Sequence, residues 1–549
     1  MSDLIRSSAT KMKIPPPLNL NTESTDDDTF NQKTRILKND LLLHEAVIKN
    51  EPETVRKVLE ETVDVNSRNN YGRAPIHWAA SRGNTEIIEL LMKANCDIEA
   101  QDKFGMRPLH MAAWYGHLDA VKLLVDAGAN VAAVNKKKYT LLMCGARGNS
   151  SIVIDYLIKV MEFINVEATD NTGATALHHA AISGHPDVIK ALSRIPEIKL
   201  NATDKKGQIP LHCACAEGHM EAVEILINLG SNLNDRDNDG YSPLHVATRM
   251  RDTGIVQILL NANANCNIVD DNGLTSLHMA ASQGCKGILE SIIDYCPDII
   301  NKQCNSGNTP LHLACQNNQI DTIEILLKKN ADINCFNLKL QTPIHIAAEM
   351  GHTDVCKLLL AAGANIEQRE KSGRTPLYIA ARGSFTAIVD MIIKTARLGF
   401  PDAAVSDENG VDRKKINDAP RWSTISVNCA SVITDHIRSI LWKLAYKHLE
   451  SGDWKKLALH WSFTHEQIQA IEHQYNGPSS YKEHGHRMLM IWTSNLSPDT
   501  QIHEQLYQAL CAIDKKNTAD SIRKKYEEDY QQENKKKSGN KGCHQCTVT

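Results

Sequence analysis

The sequence has few aromatic residues, no long apolar run and almost no net charge, and each lack removes a class of protein. Lysine plus arginine numbers 61 against 65 aspartate plus glutamate, a formal net charge of −4. Wholesale nucleic-acid binding, which needs a strongly basic surface, is therefore not expected. The best apolar run, residues 152–164, is broken by Asp155, Lys159 and Glu162, so it falls short of the roughly 18 uncharged residues of a membrane span. Residues 1–20 show no apolar core followed by a small-residue cleavage site, so no secretory signal is read there. Cysteine is not scarce, at 15, but it is odd in number and scattered. Cys213, Cys215, Cys315 and Cys356 fall at apolar helix positions, which predicts reduced, buried thiols in a cytoplasmic protein. Catalytic signatures are also missing. There is no phosphate-binding GxxxxGKS/T loop, no HExxH, no GxSxG and no kinase set. No catalytic residue, metal or cofactor is expected, and function should lie in recognition.

Repetition is what the sequence has in plenty. The phrase Ala74-Pro75-Ile76-His77-Trp78-Ala79-Ala80 returns as Arg107-Pro108-Leu109-His110-Met111-Ala112-Ala113 and as Thr309-Pro310-Leu311-His312-Leu313-Ala314-Cys315. Its histidine stands at 44, 77, 110, 178, 212, 245, 278, 312 and 345, with Met143 and Tyr378 in the same slot of two variant copies. Successive spacings are 33, 33, 33, 35, 34, 33, 33, 34, 33 and 33. Within one unit, Thr342 can cap a helix whose first turn accepts Pro343. Ala347 and Ala348 let neighbouring helices approach, Gly351 ends the helix, and 355–360 forms a second, more apolar one closed by Gly363. One such unit cannot bury its apolar face alone, so stacking is required.

The phrase resembles the ankyrin repeat, over residues 35–396. The resemblance implies about eleven helix-turn-helix units in a solenoid, with each imidazole bonding backbone between adjacent turns rather than a metal. Two copies depart from the pattern. Lys136-Lys137-Lys138-Tyr139-Thr140 lacks the turn glycine, and Leu340 replaces it in another copy, so these two fingers are expected to be reshaped.

Ankyrin arrays bind through finger tips and first helices, which directs attention to 71–139, where aromatics concentrate. Tyr71 and Phe104 lie 33 residues apart in one finger-tip slot. Trp114 and Tyr115 match Ser81 and Arg82 of the preceding repeat. With Tyr139 and Arg82 they form the expected protein-binding patch, since exposed aromatics beside arginine are common interface anchors. Trp78 is the member of this group expected to pack between repeats. Asn334, after Asp332-Ile333 with Leu326 upstream, fits the asparaginyl-hydroxylation pattern of such repeats, and Asn234 fits it in part.

The period is lost over 397–427, a polar stretch with Gly399, Pro401, Gly410 and Pro420 that reads as a linker. Five of the seven tryptophans follow it. Apolar residues then recur at helical spacing, giving six short helices near 430–449, 453–461, 464–472, 479–495, 499–511 and 516–529, with Asp453, Thr464 and Asp499 as N-caps. Leu444-Ala445-Tyr446-Lys447-His448-Leu449, Asp453-Trp454-Lys455-Lys456-Leu457-Ala458 and Met488-Leu489-Met490-Ile491-Trp492 resemble a death domain over 428–515, whose last helix extends to about 529. The resemblance implies a six-helix death-fold bundle with Trp454 and Trp492 in its core and homotypic docking through charged faces. Lys443, Lys455, Lys456, Glu466, Glu472, Glu483 and Arg487 are the candidate surface charges.

The expected architecture is all-α: a tail at 1–34 with Pro15-Pro16-Pro17 and Asp26-Asp27-Asp28, read as disordered, then array, linker and bundle, then a basic tail at 530–549. That order resembles the ankyrin repeat and death domain-containing protein 1 family. It implies a non-enzymatic cytoplasmic adaptor whose array binds a client protein and whose death domain binds death-domain proteins or itself. Two alternatives stay open. Lys535-Lys536-Lys537, Cys543 and Cys546-Thr547-Val548-Thr549 fit a prenylation layout, although Thr547 is not aliphatic. A membrane-tethered scaffold would follow if Cys546 is lipidated. The other alternative is an array that masks a transcription factor.

Overall fold

The computed structural model describes residues 28–160, 165–398, 435–474, 477, 479–494, 496 and 501–526. Residues 1–27 of the segment read as an N-terminal tail, the C-terminal tail, nearly all of the linker, and Asp499 and Cys546 lie outside these residues. Among the described residues there is no strand. The chain divides into two compact units, Met1–Asp270 and Asp271–Thr549.

In the first unit a helix over Asp28–Lys49, beginning inside the segment read as tail, precedes a series of helix pairs. Pro75–Arg82 with Thr85–Lys93, Pro108–Tyr115 with Leu118–Asp126, and Pro210–Glu217 with Met220–Asn228 show the pattern. The first helix of each pair is short and small-residue rich, and successive first helices pack on one another. Ala79, Ala80, Ala112 and Ala113 are wholly buried in that contact. The second helix supplies the larger apolar side chains. Ile87, Ile88 and Leu91 are fully buried, each contributing about 1.5–3 kcal/mol. Gly83 ends the first helix at φ 72°, and a Cβ there would sit 2.4 Å from the His117 ring. No larger residue fits without moving that imidazole, whose Nε2 donates to the Ser81 carbonyl at 3.0 Å.

The repeated histidine explains why the period is kept. In the helix at Pro75–Arg82, His77 Nδ1 accepts the Ala74 N–H at 3.1 Å, so the proton sits on Nε2, which donates to the Met106 carbonyl of the next repeat at 3.1 Å. His110 reaches Ala133, His178 reaches Gln208 and His212 reaches Tyr241 in the same way. One ring thus caps its own helix and ties it to its neighbour. Where a hydroxyl precedes the helix, it donates to the same Nδ1, as Thr342 does to His345 at 2.7 Å, and only Thr275 among these also accepts a helix N–H, from His278 at 3.4 Å. The Thr342 arrangement differs from the direct cap expected for it. In both variant repeats the hydroxyl is released from this duty. Thr140 accepts from Met143 N and Thr375 from Tyr378 N, each at 3.2 Å.

The fingers between helix pairs form a ladder of single backbone bonds, such as Lys103 N to Tyr71 O at 2.9 Å and Lys136 N to Phe104 O at 3.1 Å. The two fingers without glycine are not reshaped. Lys138 and Leu340 adopt φ 64° and 56°, the same left-handed turn. A side-chain carbonyl holds each in place. Asn135 Oδ1 accepts from Lys137 N and Tyr139 N, and Asn337 Oδ1 accepts from Lys339 N and Gln341 N. Two hydrogen bonds offset the roughly 1–2 kcal/mol that a left-handed non-glycine residue costs.

The second unit continues the helix pairs through Pro376–Arg382 and Thr386–Leu398 and adds a bundle of Asp435–Lys443, Asp453–His460, His465–Glu472, Ser480–Ser494 and Ile502–Ala512, with a last helical stretch over 516–526. Trp454, Trp492, Leu441, Leu457, Ile471 and Leu510 form its core, and Trp461 stacks on Trp492 at 3.9 Å. Thr464 caps its helix through Gln467 N at 3.2 Å. Asp453 does not act as an N-cap: it is the first residue of its helix, and its carboxylate accepts from Glu450 N and meets Lys515 at 3.2 Å. Cys213, Cys215, Cys315 and Cys356 are buried, unpaired thiols. Burial pushes those of Cys213 and Cys356 up to about 12, which keeps them protonated and unreactive.

Candidate protein-interaction surfaces

The early fingers are built on an acid or amide placed three residues before the turn glycine. Asn69 Oδ1 accepts from Tyr71 N and Arg73 N, and Asp102 Oδ1 accepts from Phe104 N and Met106 N. The turn pushes the next aromatic side chain outward, so Tyr71 and Phe104 are each 46% exposed on adjacent finger tips. Beneath Tyr71 lies Arg73, which is buried. Its guanidinium is 6.0 Å from the Tyr71 ring and 5.2 Å from the Trp78 ring, and Nε meets the buried Asp102 carboxylate at 3.2 Å. This cation fixes the tip and holds Trp78 inside. Sequence reading missed Arg73 and Asp102. A signal was present, because an acid or amide recurs at 69, 102, 135, 170, 204 and 237 with the array's own period.

The remaining patch residues separate. Tyr115 is 43% exposed and Arg82 is exposed, each at the end of its first helix. Trp114 is half-buried beneath the Arg147 guanidinium, 5.8 Å from its ring. Tyr139 does not belong to the surface. It is only 9% exposed and packs 4.6 Å from the His179 ring, and His179 meets Asp170 at 3.1 Å. Burial alone would raise the Asp170 carboxyl, but hydrogen bonds from His179, Thr172 and the Ala174 N–H outweigh it and hold it below the usual range. The partner that buries Tyr139 thus comes from the following repeat, outside its own unit. Asn334 is half-buried and its Oδ1 accepts from Asn365 N of the next repeat at 2.9 Å, and Asn234 does the same for Asn265.

The candidate charges of the bundle fall into three groups. Lys455 and Glu472 pair with each other at 2.5 Å, Glu483 accepts from the Tyr446 hydroxyl, and Lys443 is half-buried. Lys456 is exposed. Arg487 is buried and Glu466 half-buried, where both were expected at the surface: they meet the last repeat of the array, Glu466 through Thr375 and Arg369 and Arg487 through Asp390. Sequence reading also missed Trp442, which is 44% exposed and stacked on Tyr446 at 4.8 Å. Among the described residues, no cluster of three or more His, Cys, Asp or Glu side chains could hold a metal. No helix among them is long and apolar enough to cross a membrane.

These surfaces offer aromatic anchors, paired charges and hydrogen-bonding tips, which is the equipment of protein recognition. Comparison with known families agrees. A model of ankyrin repeats (3 copies) matches residues 43–135, 128–204, 195–270, 252–337 and 336–402, and a death domain model matches 438–526. The chain belongs to the ankyrin repeat family, and a death domain follows its array. Both modules serve protein–protein interaction.

Proposed function

We propose that the protein is a non-enzymatic cytoplasmic adaptor of the ankyrin repeat and death domain-containing protein 1 type. Its array holds a client protein at the early finger tips, and its death domain engages another death domain. The observation that carries the reading is the pair of half-exposed aromatics, Tyr71 and Phe104, presented 33 residues apart on adjacent fingers, with the buried Arg73 beneath Tyr71. Surface aromatics held rigid in this way lose little entropy when a partner covers them. Proximity labelling from residues 28–398, from residues 435–526 and from the full chain tests the idea. Two different protein sets are expected, both contained in the full-chain set. One shared set, or a full chain that labels only one of them, contradicts an adaptor.

A further inference from the structure

We propose that the death domain is the built-in end cap of the array, and that the face it docks with is thereby withheld from a second death domain. The last repeat, like the Met143 repeat, lacks the histidine: Tyr378 stands in its place. In other repeats the hydroxyls of Thr175, Ser242, Thr275, Thr309 and Thr342 lie 2.7–2.9 Å from a histidine Nδ1. Tyr378 has no such nitrogen, and the Thr375 hydroxyl donates instead to the Glu466 carboxylate on the His465–Glu472 helix. The same carboxylate takes Arg369 at 3.4 Å, an arginine that also braces its own finger through the Gly373 carbonyl at 2.8 Å.

Arg487, on the Ser480–Ser494 helix, closes the contact from the other side. It is buried, and it donates to the Asp390 carboxylate and, at 3.2 Å, to the Thr386 carbonyl. Arg397 lies 4.1 Å over the Phe463 ring and donates to the Trp461 carbonyl at 2.9 Å. A solenoid's terminal repeat exposes the face that internal repeats bury, and it needs a cap. Leu377 and Ile379 are buried here although no repeat follows them. Around the buried Leu377 and Ile379 the fastenings are ion pairs, hydrogen bonds and the Arg397–Phe463 contact, a mixture that resembles the more polar, separable interfaces between domains. The array end and the bundle therefore come apart as intact bodies, and only then does the Glu466–Arg487 face become available.

Hydrogen–deuterium exchange on the full chain tests the docking. Asp390→Arg should raise exchange at least about tenfold in 376–398 and 465–472 while the segment around Trp454 stays protected. The charge exchange Asp390→Arg with Arg487→Asp should restore protection. Arg369→Ala, at an exposed side chain, should loosen the same segments more weakly. Unchanged exchange in Asp390→Arg, or a loss that the charge exchange does not repair, overturns the cap. The masking rests on the adaptor reading above, and it predicts that the Asp390→Arg chain self-associates at least about tenfold more tightly in sedimentation. A second death domain that binds both chains equally overturns the masking alone. Binding by neither chain removes the adaptor reading and the masking with it.

Discussion

Replacing Tyr71, Phe104 and Tyr115 together with alanine is expected to weaken client capture on the order of a thousandfold, with thermal unfolding nearly unchanged. Anchoring aromatics are worth about 2 kcal/mol or more each, and two such anchors already amount to about three powers of ten. The three side chains are near half exposed, and surface substitutions of that kind stay within about 0.5 kcal/mol of wild-type stability. Arg73 and its Asp102 partner remain in place, so the finger keeps its shape. Tyr139→Ala should behave in the opposite way. It empties a buried site against His179, so it should lower stability by about 3 kcal/mol without selective loss of the client. Quantifying the proteins that co-purify with each variant, beside its melting curve, separates the two. Unchanged capture by the triple variant would remove the finger tips from the binding surface.

Acidification is expected to unfold the array well before its carboxylates titrate. Burial lowers His77, His110 and His312 to about 4, against the favourable effect of their backbone bonds. Burial likewise lowers His44, His178, His185, His212 and His345. Structure gives the reason. Nδ1 must accept an N–H, as His77 does from Ala74, and a second ring proton would face that donor. The unfolded chain binds these protons near pH 6.5 and the folded chain only near 4, so between those values the unfolded state holds more protons. The stabilisation is complete above 6.5 and is lost as pH falls through 4, on the order of 3 kcal/mol for each of the three most shifted rings. Urea midpoints followed by circular dichroism at pH 7.5, 6, 5 and 4.5 should fall steeply from the first step below 6.5. A flat profile down to 5 would mean that the rings are not held neutral by burial.

Much of this was legible from the chain alone, because an array repeats its own signals. The histidine spacing gave the number and size of the units, and Trp454 and Trp492 marked the bundle core before any coordinates. Two of the errors come from contacts outside the period, and the one over the turns comes from a periodic signal left unread. Tyr139 counts as a surface aromatic in the sequence because it falls in the aromatic-rich stretch 71–139, yet Arg147, His179 and Asp170, which surround it, lie in its own repeat's helix and in the repeat beyond. Lys138 and Leu340 were expected to distort their turns, yet Asn135 and Asn337 hold the backbone regardless of glycine. Arg487 was read as free surface charge, yet its partner Asp390 lies 97 residues away. Periodicity reports what a unit does for its neighbour, and contacts outside the period leave no such trace.

The most direct test of the central claim is site-specific crosslinking from the finger tips in cells. A photoreactive phenylalanine analogue at Phe104, and separately at Tyr71, should trap the same protein. The same group at Met220, exposed at the start of a second helix, should not. Equal trapping from all three positions, or none from the finger tips, would contradict an array that recognises its client through these aromatics.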